Sequence, residues 1–134
     1  MADLLKRFGV SLQAEREGVW HELGSGLRVK LARWGNPRFT KRFEELVSPH
    51  RADIEAGTLD ADVDAQVMAK VMAETILLDW DGVEMDGKVV KYTTVDAEEL
   101  LKREDLRDFR AEVQKRAQKI EKYRIANIKA DAKN

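Results

Sequence analysis

Two Asp-Gly steps, Asp81-Gly82 and Asp86-Gly87, sit within Leu77-Leu78-Asp79-Trp80-Asp81-Gly82-Val83-Glu84-Met85-Asp86-Gly87-Lys88-Val89-Val90-Lys91-Tyr92, between one segment of helical periodicity and the start of another. Asp-Gly takes up the positive backbone angles of tight turns at little cost, so no helix runs through this stretch and the chain divides into two helical halves. The spacing predicts two turns around short extended segments, a connector near residues 79–92. Trp80, flanked by Leu78 and Val83, is placed to pin that connector to a core. The same acidic run invites comparison with a calcium loop and fails it. Counting from Asp79, the fifth position is Val83, the sixth is Glu84 where glycine is required, and the twelfth is Val90 in place of a bidentate glutamate.

Ahead of the connector, residues 1–35 read as a β-rich part. Leu27, Val29 and Leu31 alternate with Arg28, Lys30 and Ala32, the period of two of a strand with one wet face. Residues 19–23 precede that strand across Gly24-Ser25-Gly26, which predicts an antiparallel hairpin. Val10, Leu12 and Ala14 alternate with Ser11 and Gln13, and Gly18 can turn this run into the hairpin, so the sheet is either a hairpin or a three-stranded meander.

Residues 36–78 read as helical. Asn36 is a capping residue and Pro37 suits the first helical position, where its missing donor costs nothing. Phe39, Phe43, Leu46 and Val47 then share one face. Pro49 interrupts this helix, and a second segment over 51–56 stops at Gly57. Asp60 opens a third pattern, with Asp62 and Asp64 opposing the positive end of the helix dipole. Its stripe of Val63, Val67, Val71 and Leu78, widened by Met68, Met72 and Ile76, predicts a centrally placed helix. Residues 93–134 are expected to be helical again. Thr93 or Thr94 caps a short helix through Leu100 and Leu101, and one long helix is expected over 104–130, its stripe carried by Leu106, Phe109, Val113, Ala117, Ile120, Arg124 and Ile128. The fold class is therefore α+β, mainly α: an N-terminal antiparallel hairpin or meander followed by four to five helices, in one domain over residues 1–134.

The side-chain inventory narrows the chemistry. The chain has no cysteine, which removes disulfides, thiolate nucleophiles and thiolate zinc sites. His21 and His50 lack the spacing of a helical metal pair, and each reads as an ordinary surface or partly buried residue. There is no glycine-rich phosphate loop and no Gly-x-Ser-x-Gly elbow, and with 25 acids in 134 residues close carboxylate pairs carry no information. An enzyme is not expected, nor a cofactor or metal. Trp20, Trp34 and Trp80 read as residues that close a core. Charged residues make up 37% of the chain with a net charge of −1, unevenly placed. Arg28, Lys30, Arg33, Arg38, Lys41, Arg42 and Arg51 crowd one stretch, and Asp53, Glu55, Asp60, Asp62 and Asp64 follow with no base among them. No nucleic-acid-binding motif accompanies the basic stretch. No apolar run reaches the roughly 18 residues of a membrane span, and the start Met1-Ala2-Asp3-Leu4-Leu5-Lys6-Arg7 lacks the apolar centre of a signal peptide, so a cytoplasmic location is expected.

The order of several segments resembles the tail assembly chaperones of long, flexible-tailed (siphovirus-type) bacteriophages. The resemblance is carried by Glu17-Gly18-Val19-Trp20, then Leu27-Arg28-Val29-Lys30-Leu31-Ala32-Arg33 with Asn36 and Phe39 behind it. Pro49-His50-Arg51 with Ile54 and Gly57-Thr58-Leu59, then Leu78-Asp79-Trp80-Asp81-Gly82-Val83 with Asp86-Gly87-Lys88, and the closing Lys133-Asn134, extend it over most of the chain. It implies a non-catalytic assembly factor that works in the host cell cytoplasm and is absent from the mature virion. Such a factor associates with the tape measure protein and helps tail tube subunits polymerise around it. Two other classes remain open: a structural tail or head connector, and a small nucleic-acid-binding regulator using the basic stretch. Ile120, Tyr123, Ile125 and Ile128, projecting from the far half of the expected terminal helix, are the candidate partner-binding residues, and the same helix could support a homo-oligomer.

Overall fold

The alternation at residues 27–31 builds the centre of the sheet. β1 (Val19–Gly24) and β2 (Leu27–Leu31) form the expected antiparallel hairpin, with Val19 opposite Leu31, His21 opposite Val29 and Gly24 opposite Leu27. Its turn is the two residues Ser25 and Gly26, at φ 55° and 79°, the pair of positive angles a type I′ turn needs. This computed structural model describes the backbone of residues 1–132 and the side chains of residues 1–128; Lys133 and Asn134 of the tail-chaperone resemblance lie outside the described residues.

The third strand does not come from residues 10–14. Ser11 caps a helix instead, its Oγ accepting the Ala14 N–H at 3.1 Å, so that α2 (Leu12–Glu17) follows α1 (Leu4–Phe8), itself capped by Asp3. Three alternating apolar residues fit either period, and the cap decides for helix; Val10 makes only an isolated bridge to Arg124. The strand that completes the sheet is β3 (Leu77–Asp81), antiparallel to the free side of β2, in the order β1-β2-β3. The sequence pattern assigns residues 77–78 to the end of the central helix and 79–81 to the connector, and pairing with β2 makes all five extended.

Helix starts fall where the capping residues stand. Asn36 accepts the Phe39 N–H at 3.1 Å and opens α3 (Pro37–Val47). A 3-10 turn at Ser48–His50 leads into α4 (Arg51–Ala56), which stops at left-handed Gly57. Asp60 caps α5 (Ala61–Thr75), and Thr93 caps α6 (Thr94–Lys102). Helix α5 is central as expected: Ala69, Val71, Met72, Ala73 and Thr75 are buried, and it packs on α3, α6 and β3. It ends one turn earlier than its apolar stripe implies. Thr75 Oγ1 donates back to the Val71 carbonyl at 2.6 Å, and the Ile76 carbonyl accepts the Ala32 N–H at 2.9 Å, so sheet pairing takes over the backbone before Leu78.

The Asp-Gly stretch combines β3 with a small hairpin of β4 (Glu84–Met85) and β5 (Lys88–Val89). Both turns form. Gly82, at φ 76°, is required twice over, because a Cβ there would overlap the Gly26 carbonyl oxygen where the end of β3 crosses the β1–β2 turn. Trp80 pins the segment as expected: it is 6% exposed, its indole N–H donates to the Val90 carbonyl at 2.8 Å, and it meets Tyr92 edge-on at 5.0 Å. Tyr92 in turn donates to the Leu77 carbonyl at 2.7 Å.

The expected long helix over 104–130 is broken. A 3-10 turn (Glu104–Leu106) leads into α7 (Arg107–Ala117); the chain then leaves the helix, makes a second 3-10 turn at Ile120–Tyr123, and resumes as α8 (Ile125–Ala132). No glycine or proline causes the break. The Tyr123 carbonyl accepts the Ser11 N–H at 2.8 Å and the Gly9 carbonyl accepts the Ile125 N–H at 3.1 Å, so the N-terminal segment supplies partners that a continuous helix would have found in itself. Tertiary pairing here overrides a weak local preference.

Candidate interaction surface

Docking of the N-terminal segment on the C-terminal one makes a clasp, and Tyr123 is its centre. The Tyr123 side chain is fully buried and its hydroxyl donates to the Leu31 carbonyl at 2.9 Å. His21 Nε2 lies 3.4 Å from the same oxygen, which suits a neutral imidazole donating to it. His21 is fully buried as well, which corrects its reading as a surface or partly buried residue, and among the described residues its Nδ1 has no partner. Burial above all, then the nearby Lys122, Arg116 and Lys119, lowers its pKa from 6.5 to about 4. Burial pushes the Tyr123 phenol up. Two neutral groups sealed in a core have no access to a substrate, so the pair is architecture.

The four candidate partner-binding residues therefore separate. Tyr123 lies beneath the surface. Ile120 is half-buried at the start of the 3-10 turn, and Ile125 and Ile128 are half-buried on α8, which packs on α1. None projects beyond the body of the fold, because the helix that would have carried them outward is folded back. Beside them lies a surface that periodicity did not single out. Leu4, Leu5, Phe8 and Leu12 on α1 and α2 are 71%, 70%, 55% and 65% exposed. Summed, their exposed side chains come to on the order of 400–500 Å² of apolar surface, the size of the largest apolar patch on a typical monomer, which is often a functional one. The signal was Asp3 ahead of Leu4, Leu5 and Phe8: a cap followed by apolar residues at i, i+1 and i+4, within a stretch too short to register as a period. Around the patch, Lys6, Arg7 and Arg16 are exposed, and the Arg7 guanidinium lies 5.3 Å from the Phe8 ring centre. Arg124 ties the two termini together, donating to the Phe8 carbonyl.

Three of the six bases in the stretch 28–42, Arg28, Arg33 and Arg42, are paired with carboxylates within the fold. Arg28 lies over the Trp20 ring at 4.3 Å and pairs with Asp81 at 3.4 Å; Lys30 stands between Trp20 and Asp79 across the sheet. Arg33 pairs with Glu15, and Arg42 with Glu74 at 2.6 Å, a hydrogen bond that holds the Glu74 carboxyl below its usual range. Of the three tryptophans Trp80 is buried, Trp34 is half-buried against Phe39 at 4.6 Å, and Trp20 covers the outer sheet face. Among the described residues, no group of three or more His, Cys, Asp or Glu side chains could hold a metal ion, and no helix is long and apolar enough to cross a membrane.

A second open feature lies away from the clasp. The walls of α3, α4 and α5 leave a groove of about 510 Å³ lined by Phe43, Val47, Ile54, Leu59 and Val67, with Asp64 at its edge.

Comparison with known proteins gives one family. Residues 34–134 match the model of a family described as YdaY prophage protein. No curated protein and no solved structure matches the chain.

Proposed function

The chain belongs to the YdaY prophage protein family and so is a protein of phage origin, and from that premise we propose that it is a tail assembly chaperone, a non-catalytic factor that binds the tape measure protein and assists assembly of the tail tube. The observation that carries this reading is the apolar face of Leu4, Leu5, Phe8 and Leu12, held open beside Ile125 and Ile128 by the clasp. An amphipathic helix lays its apolar stripe on a surface of this kind, and a tape measure protein is a long helical client. The cationic rim of Lys6, Arg7 and Arg16 favours a client helix with acidic flanks. In this reading Ile120, Ile125 and Ile128 border the client, and Tyr123 supports the surface from beneath. The protein works in the host cytoplasm and leaves before the virion is complete.

Co-expression with the tape measure protein of the same phage tests the proposal. The wild-type chain should co-purify with it, and Leu5→Asp/Phe8→Asp should not, while retaining the wild-type melting temperature because both side chains are already exposed. Co-purification that survives this substitution would remove the proposed surface. Mass spectrometry of purified virions that finds the protein at fixed stoichiometry would replace the chaperone with a structural component.

A further inference from the structure

The molecule carries two open apolar features of opposite charge. Leu4, Leu5 and Phe8 stand out from α1 between Lys6 and Arg7, and among the described residues neither Lys6, Arg7 nor Arg16 has a carboxylate within ion-pair distance. The groove of α3, α4 and α5 has the inverse character. Asp64 lines it together with His50, and Asp53, Glu55, Asp60 and Asp62 are exposed on the adjoining segments, where Arg51, paired with Glu44, is the one Lys or Arg between residues 51 and 64; among the described residues no cation pairs with any of the five acids. Ile54, between Asp53 and Glu55, is 45% exposed at the mouth. One surface offers apolar knobs with a basic rim, and the other offers an apolar recess with an acidic rim. The groove volume of about 510 Å³ gives room for a few apolar side chains. Because α1 is anchored on α8 by the clasp, the two surfaces belong to different parts of the molecule.

We infer that the occupant of the groove is α1 of a second copy of this chain, joined head to tail. Charge complementarity selects this pairing: α1 against α1 would set Lys6 and Arg7 against their like, and groove against groove would face acids with acids. The contact is heterologous, since the patch used by one copy differs from the patch used by its neighbour, so it builds either a closed ring or an open filament. It stands whether or not the client reading above does. With a client on α1, client and neighbour compete for the same face.

Sedimentation equilibrium over about 10 μM to 1 mM, the range in which small interfaces equilibrate, tests the inference. The average mass should rise with protein concentration. Raising salt from about 50 to 500 mM should weaken the association several-fold, since opposite charges rim the contact. Phe8→Asp and Ile54→Lys should each keep the protein monomeric. An equimolar mixture of the two variants should recover a dimer and nothing larger, because the first retains its groove and the second retains its α1. A chain that stays monomeric at the highest concentration overturns the inference. So does a mixture that stays monomeric although each variant melts as the wild type does. Should either variant fail to fold, Arg7→Glu and Glu55→Lys, both surface charge reversals, take their places: each alone should stay monomeric, and their mixture should assemble as the wild type does, because each reversed rim meets its opposite on the other variant.

Discussion

Removing the Tyr123 hydroxyl while keeping its ring separates the clasp from everything else the residue does. In Tyr123→Phe the packing is unchanged, but the Leu31 carbonyl loses a donor at 2.9 Å and His21, whose Nδ1 already has no partner among the described residues, loses its hydrogen-bond partner at Nε2. Both groups are fully buried, so no water replaces the hydroxyl. Leaving a buried polar group unsatisfied costs about 1–3 kcal/mol, and the weaker of the two contacts is long, so the total is about 2–4 kcal/mol. For a 134-residue chain that is a fall of roughly 7–14 °C in Tm, read by circular dichroism or calorimetry. Hydrogen exchange adds a local reading. The Ser11 and Ile125 amides, which bridge the two termini at 2.8 and 3.1 Å, should lose protection before the α5 amides do. An unchanged Tm together with loss of partner binding would show instead that the Tyr123 hydroxyl serves the partner and not the clasp.

Three further outcomes follow from the same structure. His21 has a lowered folded-state pKa, about 4 against 6.5, so the unfolded chain binds more protons between those values; stability is fully present above about pH 6.5 and is lost as pH falls towards 4, by about 3 kcal/mol. Denaturant titrations from pH 7.5 to 4.5 should show this fall, and a His21→Leu variant should show a flatter profile over the same window. Gly82→Ala should destabilise by more than about 2 kcal/mol, because it adds a Cβ against the Gly26 carbonyl at a positive φ, whereas Gly87→Ala, with open space around it, should cost less; equal Tm losses would contradict the crossing of β3 over the hairpin turn. Asn36→Ala removes the cap on the Phe39 N–H and the donor to the Arg33 carbonyl at 2.8 Å, and should cost about 2 kcal/mol in urea unfolding.

How much of this could be read from the sequence depended on whether the signal was local. Asn36-Pro37, Gly57, Asp60 and Thr93 each act on their own backbone, and all mark helix ends as expected. Leu27, Val29 and Leu31 announced β2 by alternation, and the mainly helical α+β class followed. Leu77–Asp81 did not announce itself: Ile76, Leu77 and Leu78 continue an apolar stripe without a break, and only the pairing with β2 makes them extended. The break at 118–124 is hidden for the same reason, since its cause is Gly9 and Ser11, more than a hundred residues away in sequence. That break also decides the candidate surface. Ile120, Ile125 and Ile128 are legible as a stripe, but Leu4, Leu5, Phe8 and Leu12 become a surface only once α1 is docked against α8.

Hydrogen exchange of the protein alone and with its tape measure protein tests the proposed surface most directly. Protection should rise over residues 4–12 and 125–128, with no change in the α5 amides. Protection confined to other elements, or none at all in a complex shown to form, would contradict it.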